Sequence, residues 1–169
     1  DLGGAPLCPN CAADSNELDW IRSACVYDAA SRSAMLPFKH GGRIKYARFM
    51  SRAMIWALRD IDVDIDIVMP VPLATRRLFK RGYNQATLLS RPIANALGLK
   101  MDLDSVRRIH RPDMGHKNAR QRMENIHGVF RVVNPDAIRG KRILLVDDVM
   151  TTGATFSELR RVLMRAGAS

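Results

Sequence analysis

The chain has 169 residues, 47% of them hydrophobic, and contains no apolar run near the ~20 residues that a bilayer-spanning helix needs. That excludes helical membrane proteins and leads us to expect one soluble, cytoplasmic domain with a single sizeable core. Lys and Arg number 27 against 17 Asp and Glu, a net charge of +10 and a pI near 10.3, so a polyanion is the expected partner.

Cys8-Pro9-Asn10-Cys11 opens the chain, and two thiolates two residues apart at a turn make half of a tetrahedral zinc site. We expect zinc at Cys8 and Cys11 only if two further cysteines precede Asp1. Three cysteines without regular spacing point to a reducing compartment rather than a disulfide scaffold. Residues 1–22 form this partial, zinc-knuckle-like segment, and 23–169 the main domain. From Ser23 to Phe38 the pattern suggests a hairpin with a strand-like Ala24–Tyr27. Lys39-His40-Gly41-Gly42-Arg43 then leads into a helix ending near Asp60, its core face carrying Ile44, Ala47, Met54, Ile55 and Leu58. Lys39, at the end of the hairpin, is expected to be solvated more than to hold an anion.

The next expected strand is Ile65–Pro70. Pro70 and Pro72 cannot extend a ladder, so it ends in a stiff loop, and Arg76, Arg77, Lys80 and Arg81 place four cations within six residues. A stiff, cationic loop suits a leaving pyrophosphate. Asn84 is a natural N-cap for a helix running to Leu97 and stopped by Gly98, with a kink expected near Leu88 or Leu89 from Pro92. Leu103–Ile109 is expected as a second strand of the sheet. The polar, basic stretch 111–125 is too long for a simple connection and suggests a lid or a disordered segment, and Gly128–Val133 reads as a further strand.

The remaining elements centre on Arg142–Thr155. Ile143–Val146 has the length and composition of a strand buried on both faces, and it runs into Asp147 and Asp148. A hydroxyl-rich turn, Thr151-Thr152-Gly153-Ala154-Thr155, then begins a helix with Phe156, Leu159, Leu163 and Ala166 on one face and Gly167 as its stop. Unpaired N–H groups and the positive dipole end at such a turn can wrap a phosphate monoester. Ionised carboxylates only accept hydrogen bonds, which suits donating ribose hydroxyls, so Asp147 and Asp148 are candidate ribose ligands.

Ile143–Thr155 resembles the 5-phosphoribosyl 1-diphosphate (PRPP) motif of the type I phosphoribosyltransferases. Pro70-Val71-Pro72-Leu73, Arg76-Arg77 and Arg81-Gly82-Tyr83-Asn84-Gln85-Ala86, together with Cys8, Cys11 and Lys39-His40-Gly41, resemble the competence protein F (ComF) family, a branch of phosphoribosyltransferase-like proteins. The resemblance implies a 5-phosphate site at Val149, Met150, Thr151, Thr152, Gly153, Ala154 and Thr155. It implies a pyrophosphate loop at Val71, Pro72, Leu73, Arg76 and Arg77, with Arg81 to Gln85 beside it. It also implies a catalytic loop over 111–125, in which Arg122, Asn125, Gly128 and Phe130 match R-x-x-N-x-x-G-x-F. The catalytic set is then Asp147, Asp148 and the loop cations Arg120 and Arg122, acting on PRPP with Mg²⁺. A zinc-binding segment commonly precedes the domain in that family, and its members are linked to uptake of transforming DNA.

The fold expected is α/β: a flavodoxin-like parallel sheet with helices on both faces, in the order 2-1-3 for strands 65–70, 103–109 and 142–147, truncated before at least one later strand. Two functions follow: transfer of phosphoribosyl to a nitrogen acceptor, or a weakly catalytic or non-catalytic competence module that binds single-stranded DNA or a helicase-like partner. For DNA, the candidate surface is the cluster Arg107, Arg108, Arg111, Lys117, Arg120 and Arg122. Aromatic interleaving there is limited to Phe79, Tyr83 and Phe130, and Arg160, Arg161 and Arg165 add charge on the last helix.

Overall fold

A computed structural model describes residues 20–40, 42–109 and 126–169. Cys8, Cys11, Arg120, Arg122 and the rest of the expected lid, 111–125, lie outside the described residues. The elements in order are α1 (Ala29–His40), α2 (Lys45–Leu58), β1 (Ile67–Pro70), α3 (Thr75–Arg81), α4 (Gln85–Leu97), β2 (Lys100–Met101), β3 (Val106–Arg108), β4 (Phe130–Val132), β5 (Ile143–Val146) and α5 (Ala154–Arg165). Among them, none is a helix long and apolar enough to cross a membrane.

The main sheet has the order β2-β1-β5, all parallel: the first and last expected strands are neighbours, as the 2-1-3 order requires, but the outer place expected for 103–109 is taken by Lys100–Met101. β1 and β5 are paired along their whole length, from Ile67 opposite Ile143 to Pro70 opposite Val146. Their amino ends are pinned by Asp66, whose carboxylate accepts the Arg142 N–H at 2.8 Å while Arg142 also reaches Asp64 at 2.8 Å. All four residues of β1 are buried, whereas β5, the strand expected to be buried on both faces, alternates between half-buried and buried residues. On one face Val68, Leu144 and Val146 pack with Leu89, Ile93, Ala47 and Phe38. On the other, Met69 packs with Phe130, Val129, Val106, Ile138, Leu159 and Leu163. Helices therefore lie on both sides.

Two expectations are corrected. Residues 29–40 form a helix, not the arm of a hairpin. The Asp28 carboxylate accepts the Ser31 N–H at 2.8 Å and the Ser31 hydroxyl accepts the Asp28 N–H at 2.9 Å, a reciprocal cap that starts α1, and Pro37 is tolerated inside it. The segment 103–109 does not belong to the main sheet. Asp102 Oδ1 accepts the N–H groups of Asp104 and Ser105, both at 2.9 Å, and this turn ends the short β2. The chain then re-enters as β3, antiparallel to β4 in a separate two-stranded sheet. α4 is one helix despite Pro92, capped by Asn84 as expected and closed by Gly98 at φ 65°, a conformation that favours glycine.

Candidate functional site

The β1–β5 register decides which loops meet. Because Pro70 lies opposite Val146 and the Val71 N–H donates to the Val146 carbonyl at 2.8 Å, the loop after β1 and the loop after β5 leave the sheet side by side at its carboxyl end. That is where open α/β sheets bind ligands. The second loop forms a hollow lined by Asp147, Val149, Met150, Thr151, Thr152, Gly153, Ala154, Thr155 and Phe156. Gly153 sits at φ 74° and starts α5, so the Thr-rich turn ends on helix N–H groups.

The acidic pair is electrostatically uneven. Asp147 is partly buried at the foot of the hollow, and its carboxylate accepts the Asp148 N–H at 2.8 Å. Burial, reinforced by the neighbouring Asp148 charge, pushes its pKa up to about 7. Asp148 instead has a partner: Lys39 Nζ lies 3.0 Å from Asp148 Oδ1. Lys39, expected to be mainly solvated, is thus a member of the site.

What puts Lys39 there is the Arg81–Ala86 motif. The Tyr83 hydroxyl donates to the Phe38 carbonyl, and Gln85 Nε2 donates to the Lys39 carbonyl at 3.3 Å. Gln85 is itself buried and oriented by Arg81, whose guanidinium donates to Gln85 Oε1 at 3.2 Å. Asn84 works in the other direction: its Oδ1 accepts the Ala86 N–H at 3.1 Å and its Nδ2 donates to the Val71 carbonyl at 3.0 Å. Successive side chains of one short turn tie down the end of α1, the loop after β1 and the start of α4.

The other candidates fall into place unequally. Val71 is buried in the core, and Pro72 and Leu73 are partly buried at the mouth of the loop. Arg76 and Arg77 stand exposed on α3, whereas Arg81 spends its guanidinium on Gln85. Gly128 is held from α5, where the buried Glu158 accepts its N–H at 2.6 Å and pairs with Arg161 at 2.6 Å. Sequence reasoning missed Glu158, for which the only signal was a carboxylate on the helix's otherwise apolar face. Among the described residues no group of three or more His, Cys, Asp or Glu side chains is arranged to hold a metal ion.

The chain is 35% identical over 125 residues to DNA utilization protein YhgH of Salmonella typhimurium, covering 73% of this chain and 54% of that protein. Against the protein of the same name in Escherichia coli K12 it is 31% identical over 183 residues, covering 96% of this chain and 80% of that one. Competence protein F of Haemophilus influenzae is 29% identical over 172 residues, with 96% and 74% covered. The chain belongs to the ComF family. This ComF-family chain spans about half the length of the Salmonella relative. No protein-family model matches it. Among solved structures it is similar to glutamine PRPP amidotransferase from Bacillus subtilis complexed with ADP and GMP, with a TM-score of 0.44, 20% identity, and 77% of this chain and 25% of that chain covered. An allosteric regulatory enzyme of purine biosynthesis gives a TM-score of 0.46 at the same identity, covering 77% of this chain and 24% of that one. The architecture of this ComF-family member is mixed α/β with a parallel sheet and helices.

Proposed function

We propose that the chain binds PRPP with Mg²⁺ and transfers its phosphoribosyl group to a nitrogen acceptor. The observation that carries this reading is the juxtaposition, through the β1–β5 register, of the Asp147–Asp148 pair and its Thr-rich hollow with the stiff loop at Val71–Leu73. A 5-phosphate seats on the N–H groups and hydroxyls of Thr151–Thr155, and the ribose hydroxyls donate to the two carboxylates. The cations of α3, the helix that follows the loop after β1, are the candidates to meet the departing pyrophosphate.

Mg²⁺ would be held by the substrate's own diphosphate and hydroxyl oxygens together with water, which needs no cluster of three protein ligands; Asp147 and Asp148 would hold the hydroxyls. Once bound, the ion supplies charge neutralisation for the diphosphate. Asp148 and Lys39 fix the polarity at the ribose edge, while Asp147, near neutrality, can hold or release a proton there. The C1–oxygen bond breaks with its electron pair leaving on pyrophosphate, and the acceptor nitrogen's lone pair forms the new bond to C1 as that nitrogen's proton passes to water. Positive charge developing at C1 is stabilised by the carboxylates.

The test is calorimetric titration of PRPP with Mg²⁺ into wild type and into the double variant Asp147→Asn, Asp148→Asn. Binding to wild type with at least tenfold loss in the variant is expected. Equal affinities would remove the site assignment. Binding without pyrophosphate release in the presence of nitrogen nucleophiles would leave a PRPP-binding competence module in place of a transferase.

A further inference from the structure

The outer face of α2 is neither buried nor used by the phosphosugar pocket. Lys45, Arg48, Phe49, Arg52 and Trp56, with Arg59 just beyond the helix, fall within about 100° of its circumference at 100° per residue, and all are exposed. Phe49 is 74% and Trp56 65% exposed, unusual for rings of this size on a helix whose other face, with Ala47 and Ser51 buried, already packs on the core. The two rings stand on one line, seven residues and about 10 Å apart along the axis, with Arg52 between them. The Arg59 guanidinium lies 3.6 Å from the Trp56 ring centroid. No carboxylate occurs anywhere in α2, and among the described residues Arg59 is the one cation of the face that pairs with one, Asp60, at 3.2 Å.

We propose that this face is a binding platform for single-stranded nucleic acid, separate from the phosphosugar pocket. Aromatic rings alternating with cations supply the two interactions that unpaired strands offer at every nucleotide, a base to stack and a phosphate to neutralise. A duplex hides its base faces, so the exposed rings favour a single strand. The spacing of about 10 Å leaves room for about two further bases at stacked separation. An anionic membrane is the weaker fit, because the broad apolar face of α2 is turned inward and only the two rings remain to insert. Sequence reading placed DNA at the cluster around 107–122, where aromatic residues are scarce; the interleaving it lacked is here.

The test uses the 169-residue chain, a fluorescein-labelled oligothymidylate, and the chain's own fluorescence, which comes from Trp20 and Trp56. Binding at 50 mM salt with quenching of Trp56 is expected. With three to four phosphates neutralised, affinity falls about 20- to 50-fold between 50 and 200 mM salt. Phe49→Ala with Trp56→Ala lowers affinity about tenfold or more without moving the melting temperature or the PRPP titration. Trp56→Phe keeps most of the binding and loses most of the quenching. The proposal is overturned if the double variant binds as tightly as wild type, or if no oligonucleotide binds at 50 mM salt. It is equally overturned if the chain moves onto anionic phospholipid vesicles, with a blue shift of Trp56, while ignoring the oligonucleotide.

Discussion

Asp147 is costly to the fold, and Asp147→Asn should expose that cost. Its pKa is raised from 3.8 to about 7, chiefly by burial and then by the Asp148 charge. Three pH units at 1.36 kcal/mol each set the full cost of ionising it in the folded chain at about 4 kcal/mol. The sign follows from proton binding. Between about pH 4 and 7 the folded chain keeps a proton that the unfolded chain has released, so stability falls as pH rises through that window. Asparagine keeps the side chain's volume and its oxygen can still accept the Asp148 N–H, but it carries no charge. The advantage of the variant over wild type should therefore grow by roughly 3 kcal/mol between pH 5 and pH 8, or about 5–10 °C in melting temperature. Urea denaturation of both proteins at the two pH values measures it. A difference that stays constant with pH would refute the argument. A variant that is more stable yet no longer binds PRPP would mark Asp147 as a residue kept for function at the expense of stability.

Lys39→Met should leave Asp148, with a side chain only 10% exposed, without its ion-pair partner, lowering stability by on the order of 1–3 kcal/mol at pH 8 in thermal melts. Asn84→Ala removes a helix cap and the donor to Val71; a loss of about 1–2 kcal/mol is expected, with weaker PRPP binding in calorimetry as the loop after β1 loosens. Glu158 is pushed up by burial, but Arg161 and the Gly128 N–H outweigh this and hold its pKa below the ordinary value. Its contribution is present above the unfolded pKa and lost as pH falls through the folded one, so in pH-dependent denaturation Glu158→Gln should flatten the acid limb of stability.

How legible this was in the sequence depended on the range of the forces involved. β5, its acidic pair and the start of α5 could be read because their signals are contiguous: an aliphatic run, two carboxylates, then a hydroxyl turn around Gly153. α4 was legible for the same reason, bracketed by Asn84 and Gly98. The hairpin expectation failed at α1 because Val26, Tyr27 and Pro37 outweighed the Asp28–Ser31 cap and the alanines that follow it, which are the local features that win. The single strand expected over 103–109 failed because one side chain, Asp102, folds the backbone onto itself and moves Val106 to another sheet. Lys39 was undervalued because nothing adjacent to it shows that Tyr83 and Gln85 hold its backbone in front of Asp148. Phe49 and Trp56 escaped notice because a helix was read for its core-facing residues alone.

The bonds made by Tyr83, Asn84 and Gln85 span 45, 13 and 46 residues of chain. Closing loops of that length costs entropy before any contact repays it, so interactions of this range mature late in folding. Like the β1–β5 pairing, which joins Ile67 to Ile143, the pocket is therefore absent until distant segments have met. An intermediate with its helices already formed would have no working site, because Lys39 and the loop after β1 reach Asp148 and Val146 only when this turn locks. On the proposed function, capture of PRPP would select chains whose distant segments have met. Amide exchange at Val71 faster than global unfolding allows, and slowed by PRPP, would be its signature; exchange as slow as that of Val68 would show that the turn forms together with the core.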